Sequence, residues 1–153
     1  MMRAAVLLAA CGILLAGCAT PPAPPQRAAA PTTFGPWVIN ACTLGSKAAD
    51  VWLRTTGSLT FGGDLELTAH FTPVLVRPPY ATLSGLPVPI RVEGTNRRYT
   101  LFVPYNPETG AHMLQPGRYL TVSYQPLGSA AIQDVSFPTE ALMQGLGALS
   151  DCP

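Results

Sequence analysis

Short stretches of alternating apolar and polar residues, interrupted by prolines and glycines, characterise this sequence from Phe34 onward. The clearest stretch runs from Asp64 to Thr72, and its apolar members are Leu65, Leu67, Ala69 and Phe71. Because the side chains of a strand point alternately to opposite faces, this period of two predicts a strand with one buried and one solvated face. The chain has 17 Pro and 14 Gly in 153 residues, so every such stretch is short.

Turn signals connect these stretches into hairpins. Gly62-Gly63 predicts a tight turn before the strand at 64–72. Glu93-Gly94-Thr95-Asn96 is a second hairpin signal, between 88–92 and 97–103. Further strands are expected at 53–61, 118–124 and 130–137.

Helix signals are sparse. Thr139 to Leu149 predicts one short C-terminal helix, and the segment 46–50 is compatible with a single helical turn. The predicted fold is therefore mainly β: an antiparallel β-sandwich or barrel of about six to eight short strands, with at most one short C-terminal helix.

The N-terminus carries the pattern of a lipoprotein signal. Arg3 gives a positive start, and the apolar stretch that follows it has the length of a secretory signal. The stretch ends in Leu15-Ala16-Gly17-Cys18, which resembles the bacterial lipobox. The resemblance implies cleavage before Cys18, a diacylglyceryl thioether on its sulfur and an acylated new amino terminus. The several palmitate-type chains together anchor a protein far better than one chain. An ordinary signal peptide with Cys18 present by chance is the alternative.

The residue after the lipidation site predicts where the anchor is placed. Ala19 stands there instead of Asp. By resemblance to enterobacterial sorting, this favours the outer membrane, on its periplasmic or its cell-surface face, over retention at the inner membrane.

Composition then divides the chain into three parts. Residues 1–17 are predicted to be the signal peptide, 18–33 the lipidated Cys with a Pro/Ala-rich tether, and 34–153 a single β domain. The whole chain has nine Lys or Arg and eight Asp or Glu, so loss of Arg3 leaves a neutral mature chain. This balance argues against a nucleic-acid partner held by phosphate contacts. The expected partners are the membrane, through the anchor, and a protein of the cell envelope.

Two cysteines remain in the mature domain. Cys11 is lost with the signal and Cys18 is the lipidation site, which leaves Cys42 and Cys152. In an oxidising periplasm this pair predicts a disulfide. The alternative, a metal or redox pair, is less favoured because the sequence has no CxxC and no His beside either Cys.

The residues that usually carry chemistry are few. The segment Leu83-Ser84-Gly85-Leu86 lacks the first glycine of a GxSxG nucleophile motif. We therefore expect no catalytic residue, no enzymatic activity and no cofactor. The alternative is a small-ligand or copper-binding periplasmic protein that uses His70, His112 and Met113, residue types that bind copper.

Five arginine and tyrosine residues are candidates for an interaction surface. Three of them, Arg91, Arg97 and Arg98, cluster around the second hairpin. We favour the interpretation that they protect a sheet edge. The alternative is that they meet an acidic partner or lipid phosphate. Tyr105 and Tyr119 lie at strand ends, and tyrosine is enriched in contact surfaces. Packing beneath loops is the more frequent explanation for such tyrosines.

The order of the segments resembles that of YbaY/YscW-type periplasmic lipoproteins over roughly residues 53–144. The segments that carry the resemblance are Leu53 to Leu59, Leu65 to Val76, Val88-Pro89-Ile90, Tyr99 to Pro107 and Gln115 to Tyr119. The resemblance implies a small β-sandwich linked to envelope assembly, as in pilotins that escort secretin subunits to the outer membrane. We therefore expect a non-catalytic contact module, either a pilotin-like chaperone or an accessory subunit of an envelope complex.

Overall fold

A computed structural model describes residues 30–93, 97–105 and 117–152 of the chain. These residues form eleven strands and one helix: β1 Thr32–Phe34, β2 Trp37–Asn40, β3 Thr43–Ala48, β4 Val51–Thr55, β5 Asp64–Phe71, β6 Tyr80–Leu83, β7 Leu86–Val88, β8 Ile90–Val92, β9 Arg98–Pro104, β10 Tyr119–Tyr124, β11 Gln133–Pro138 and α1 Thr139–Leu149. β1 thus includes the last two residues of the segment assigned to the tether.

The strands form two antiparallel sheets. The larger has seven strands in the order β1-β2-β3-β4-β5-β9-β8, and the smaller has four in the order β11-β10-β6-β7. The sheets pack face to face around one core, in which the ring of Phe71 on β5 lies 5.2 Å from that of Tyr124 on β10. The fold is a β-sandwich, which confirms the predicted class, with more strands than the sequence indicated.

The strongest sequence patterns coincide with observed elements. β5 buries the four alternating apolar residues predicted for it, and β10 buries Leu120, Val122 and Tyr124 in the same way. The turn at Gly62-Gly63 is also present. The N–H of Gly63 donates to the carbonyl of Thr60 over 2.9 Å, and the φ of +85° at Gly63 favours glycine.

Two local predictions differ from the structure. The segment 46–50 does not form a helical turn, because Leu44 and Ser46 point into the core from β3, between β2 and β4. The stretch 53–61 is not one continuous strand: β4 ends at Thr55, and Gly57 follows it with a φ of +80°. Phe61, in phase with Leu53 in the sequence, is consequently fully exposed.

The helix α1 covers the part of the large sheet that the small sheet leaves open. It begins directly after Pro138, as predicted, and packs against β1, β2 and β3. The indole N–H of Trp37 on β2 donates to the carbonyl of Pro138 over 3.3 Å. None of the helical structure in the described ranges combines the length and apolarity needed to span a membrane.

The predicted disulfide joins the two ends of this arrangement. Cys42 lies in the turn between β2 and β3, and Cys152 lies just beyond α1; their sulfur atoms are 2.07 Å apart. Ala41 and Cys42 have φ values of +47° and +55°, a left-handed pair that closes a two-residue hairpin turn. The helix α1 and the small sheet thus cover the inner face of the large sheet, and none of the described strands or the helix covers its outer face.

Candidate functional site

The open outer face of the seven-stranded sheet carries most of the cations in the domain. Strand register places Lys47, Trp52, His70 and Arg98 side by side across β3, β4, β5 and β9. The next row across the sheet contains Arg54, Thr68, Thr100 and Arg91. The described residues include seven Lys or Arg, and four of them lie in these two rows.

A groove of about 700 Å³ crosses this face over β2, β3 and β4. Its walls are apolar at Pro36, Val38 and Trp52 and polar at Asn40, Thr43, Lys47 and Arg54. Among the described residues, those that line it include two cations and no carboxylate. The groove therefore presents an apolar surface in a positive field.

Gly45 creates the depression in which the groove forms. A Cβ at this position would lie 3.2 Å from Nε1 of Trp52 and 3.6 Å from Cγ of Arg54, so both side chains lean over the glycine. The guanidinium carbon of Arg54 is 5.1 Å from the Trp52 ring centroid, which is within the range of a cation–π contact. Trp52 nevertheless stays 44% exposed.

A second groove of about 260 Å³ adjoins the first, because Thr43 and Arg54 line both. Its other polar groups are the hydroxyls of Thr56, Ser58 and Thr68, the carboxylate of Glu66 and the guanidinium of Arg98. Together the two grooves cross β2 to β5, with Arg54 between them.

Trp52 was not identified from the sequence as a candidate residue. The available signal is the alternation of Val51, Leu53 and Thr55, which are buried and therefore require Trp52 to face outward. A large aromatic at a solvated strand position is a more informative observation than another buried apolar residue.

The arginines predicted to lie at a sheet edge are placed around β8, which ends the seven-stranded sheet. Nη2 of Arg91 is 3.1 Å from Oε1 of Glu93, and the Thr100 hydroxyl donates to the same oxygen over 2.6 Å. The hydrogen bond from Thr100 and then that from Arg91 hold the pKa of the Glu93 carboxyl below its usual value. Arg97 is exposed just before β9, and Arg98 lines the second groove.

The two candidate tyrosines lie elsewhere. Tyr105, directly after β9, lines a cavity of about 220 Å³ with Leu59 and Leu149, between the hairpin turn and α1. Tyr119 begins β10 and is exposed on the outer face of the four-stranded sheet. The five predicted interaction residues therefore do not form one surface.

The residues of the proposed copper site are only partly described. His70 is exposed on β5, between Trp52 and Arg98 in register. His112 and Met113 lie outside the described residues, as does the lipidation candidate Cys18. Within 30–93, 97–105 and 117–152, no group of three or more His, Cys, Asp or Glu side chains is arranged to hold a metal ion.

Comparisons of the chain with protein-family models, with curated proteins and with solved structures found no match.

Proposed function

We propose that this protein is an outer-membrane-anchored lipoprotein whose β-sandwich acts as a non-catalytic contact module, either a pilotin-like chaperone or an accessory subunit of an envelope complex. The observation that carries the proposal is the open outer face of the large sheet, with a half-exposed tryptophan among cations. The lipobox around Cys18 supports the anchoring part of the proposal.

The composition of this face is that of a contact surface. Tryptophan and arginine are enriched in binding hot spots because they combine a large contact area with directed hydrogen bonds. Trp52 and Arg54 stack on each other within the larger groove, which holds both side chains in place before a partner arrives. Less side-chain entropy is then lost on binding.

Anchoring through Cys18 leads to a direct prediction. Cys18→Ser removes the thiol that is acylated, so the variant protein is expected in the soluble fraction while the wild-type protein sediments with membranes. Fractionation of cells followed by immunodetection measures the distribution. Cys11→Ser is the matched control, because it replaces a cysteine of the discarded signal and is expected to leave membrane association unchanged. A Cys18→Ser protein that still sediments with membranes contradicts the anchoring proposal.

Complex formation is tested on the full-length lipidated protein. After chemical cross-linking of whole cells and detergent solubilisation, the proposal expects one discrete envelope protein to co-purify with it. Replacement of Arg54 and Arg98 by glutamate is expected to reduce that recovery, because both side chains belong to the open face. A protein recovered alone under these conditions contradicts the contact-module proposal.

A further inference from the structure

The adjoining grooves lie over central strands of a sheet. Gly45 pairs with Arg54 and Arg54 with Thr68, so the backbone groups of β3, β4 and β5 are used by neighbouring strands. A ligand at this position meets side chains alone. Recognition by addition of a peptide strand needs an unpaired sheet edge and does not apply to these strands.

The charges in the grooves select an anionic ligand. Lys47 and Arg54 line the larger groove, and Arg98 lines the smaller one. Within the part of the chain that the structure describes, the one carboxylate lining either groove is that of Glu66, in the smaller groove. Three cations against one carboxylate leave a positive site, and the cations are spaced along it instead of being gathered at one point.

The remaining side chains narrow the chemistry of that anion. A sugar ring has C–H bonds on its faces and hydroxyls at its rim. The guanidinium of Arg54 lies over one face of the Trp52 indole, and the exposed remainder of the ring offers an electron-rich surface for the C–H bonds. The hydroxyls of Thr56 and Ser58 share one hydrogen bond of 2.8 Å and keep further donor and acceptor capacity. The hydroxyl of Thr68 and the amide of Asn40 add to it, and sugar hydroxyls require groups that both donate and accept.

Other anionic occupants fit less well. The larger groove is concave, whereas a lipid surface is broad and would reach only its rim. An acidic polypeptide would satisfy the cations and accept hydrogen bonds from the hydroxyls, but a run of carboxylates offers no ring to pack against Trp52. The combination of cations, indole and hydroxyls matches one ligand that has all three complementary features.

We propose that the two grooves form one binding site for a glycan strand that carries carboxylates, as peptidoglycan does on its peptide stems. Carboxylates pair with Lys47 and Arg54, a sugar ring packs against Trp52, and ring hydroxyls bond to the Ser and Thr side chains beyond Arg54. The inference rests on the proposed function in one respect only, which is that the protein lies in the compartment where such a glycan occurs. It would give the open face a second kind of ligand, the cell wall, which shares Trp52, Arg54 and Arg98 with a protein partner.

The test uses full-length protein in detergent and isolated peptidoglycan sacculi as the probe. Wild-type protein is expected to sediment with sacculi at low ionic strength and to be released by added salt, because the contacts are charge-dependent. Trp52→Ala combined with Arg54→Gln is expected to weaken binding by at least about tenfold. Arg77→Gln and Arg118→Gln are the matched controls, since both remove a cation that lines neither groove.

Chemical amidation of the free carboxylates of the sacculi, which lie on the peptide stems, separates charge from sugar recognition. Sacculi treated in this way are expected to lose most of the bound protein. Equal binding to treated and untreated sacculi, or equal binding by the groove variant and the controls, would overturn the proposal. Unchanged circular dichroism and urea midpoints establish that each variant is folded.

Two further probes test whether the grooves bind a different kind of anionic ligand. Groove-dependent binding to phosphatidylglycerol vesicles without binding to sacculi would overturn the glycan in favour of a lipid surface. Competition by polyglutamate, with none by soluble muramidase-released fragments, would overturn it in favour of an acidic polypeptide. The Cys18→Ser and co-purification experiments do not use sacculi, so the proposed function and this inference fail independently.

Discussion

Replacing Cys42 and Cys152 together with serine is expected to lower the free energy of unfolding by about 4 to 5 kcal/mol. The disulfide spans 110 residues of sequence and so closes a loop that contains nearly the whole domain. Without this bond the unfolded chain gains conformational freedom that the folded chain does not, which shifts the equilibrium toward unfolding. The loss is comparable with the total stability of many small domains, roughly 5 to 15 kcal/mol.

The folded state contributes to the same effect. The disulfide ties the β2–β3 turn to the end of α1, and both residues of that turn have left-handed φ values. Neither Ala41 nor Cys42 is a glycine or asparagine, the types that adopt this conformation most easily. Once the bond is absent, the turn and the helix end are no longer held together.

Urea denaturation measures the loss. Wild-type protein under reducing conditions and the double serine variant are expected to share a lower midpoint than oxidised wild type. The melting temperature is expected to fall by roughly 16 to 20 °C, at about 4 °C per kcal/mol for a domain of this size. Reducing agent must have no effect on the double variant, which is the internal control. Identical midpoints for the oxidised and reduced wild-type protein would contradict the prediction.

Elements with an uninterrupted local pattern could be predicted from the sequence. β5 has four alternating apolar residues, all fully buried in the structure. The start of α1 is marked by Pro138, which supplies no N–H and is tolerated before the first helical turn. In both elements the information lies within a few neighbouring residues.

β3 could not be predicted because its residues do not alternate between apolar and polar types. Leu44 and Ser46 face the core, and Gly45 faces outward beneath Trp52 and Arg54. A buried serine and an outward glycine give no period of two in hydropathy. The neighbouring strands β2 and β4, and not local propensity, determine that these residues are extended.

The chain also passes from one sheet to the other within the stretch 88–92, which the sequence pattern predicts to be a single strand. Val88 ends β7 in the small sheet, and Ile90 begins β8 in the large one. Pro89 stands between them and has no N–H to donate, although its carbonyl accepts the N–H of Phe102 over 2.9 Å. A sequence pattern reports which residues are extended but not which sheet they join.

The candidate site shows the same division between local and distant information. Arg97 and Arg98 are adjacent in sequence and were recognised as part of a cluster with Arg91. Lys47, Trp52 and Arg98 share a row only because β3, β4, β5 and β9 pair in one particular register. That register is a property of the whole sheet, so the groove became visible only in three dimensions.

A second large effect is expected where α1 meets the sheet. A Cβ at Gly145 would lie 2.6 Å and 2.7 Å from the two Cδ atoms of Leu44, which is fully buried. Glycine at this helix position therefore allows close approach to β3, despite its low helix propensity. Gly147 in the same helix is exposed and has no neighbouring atom within 4 Å of its Cβ position.

Gly145→Val is expected to lower the free energy of unfolding by about 3 kcal/mol, because the inserted side chain overpacks a core that is already filled. Gly147→Val is the matched control, with an expected change within about 0.5 kcal/mol, since valine and glycine differ little in helix propensity. Urea denaturation of oxidised protein measures both. Equal midpoints for the two variants would show that α1 is not held against β3 at Gly145.

The cause of the stability loss in Gly145→Val is tested by replacing the facing side chain on β3 with a smaller one. Leu44→Ala alone is expected to destabilise the domain by about 2 to 5 kcal/mol, because it leaves a cavity beneath α1. In the Gly145→Val background the same change removes the clash, so the double variant is expected to be more stable than the sum of the single effects predicts, by more than about 1 kcal/mol. Strict additivity would mean that the valine acts through the helix itself and not through Leu44. Partial rescue instead assigns the role of Gly145 to the close contact by which α1 completes the covered side of the large sheet.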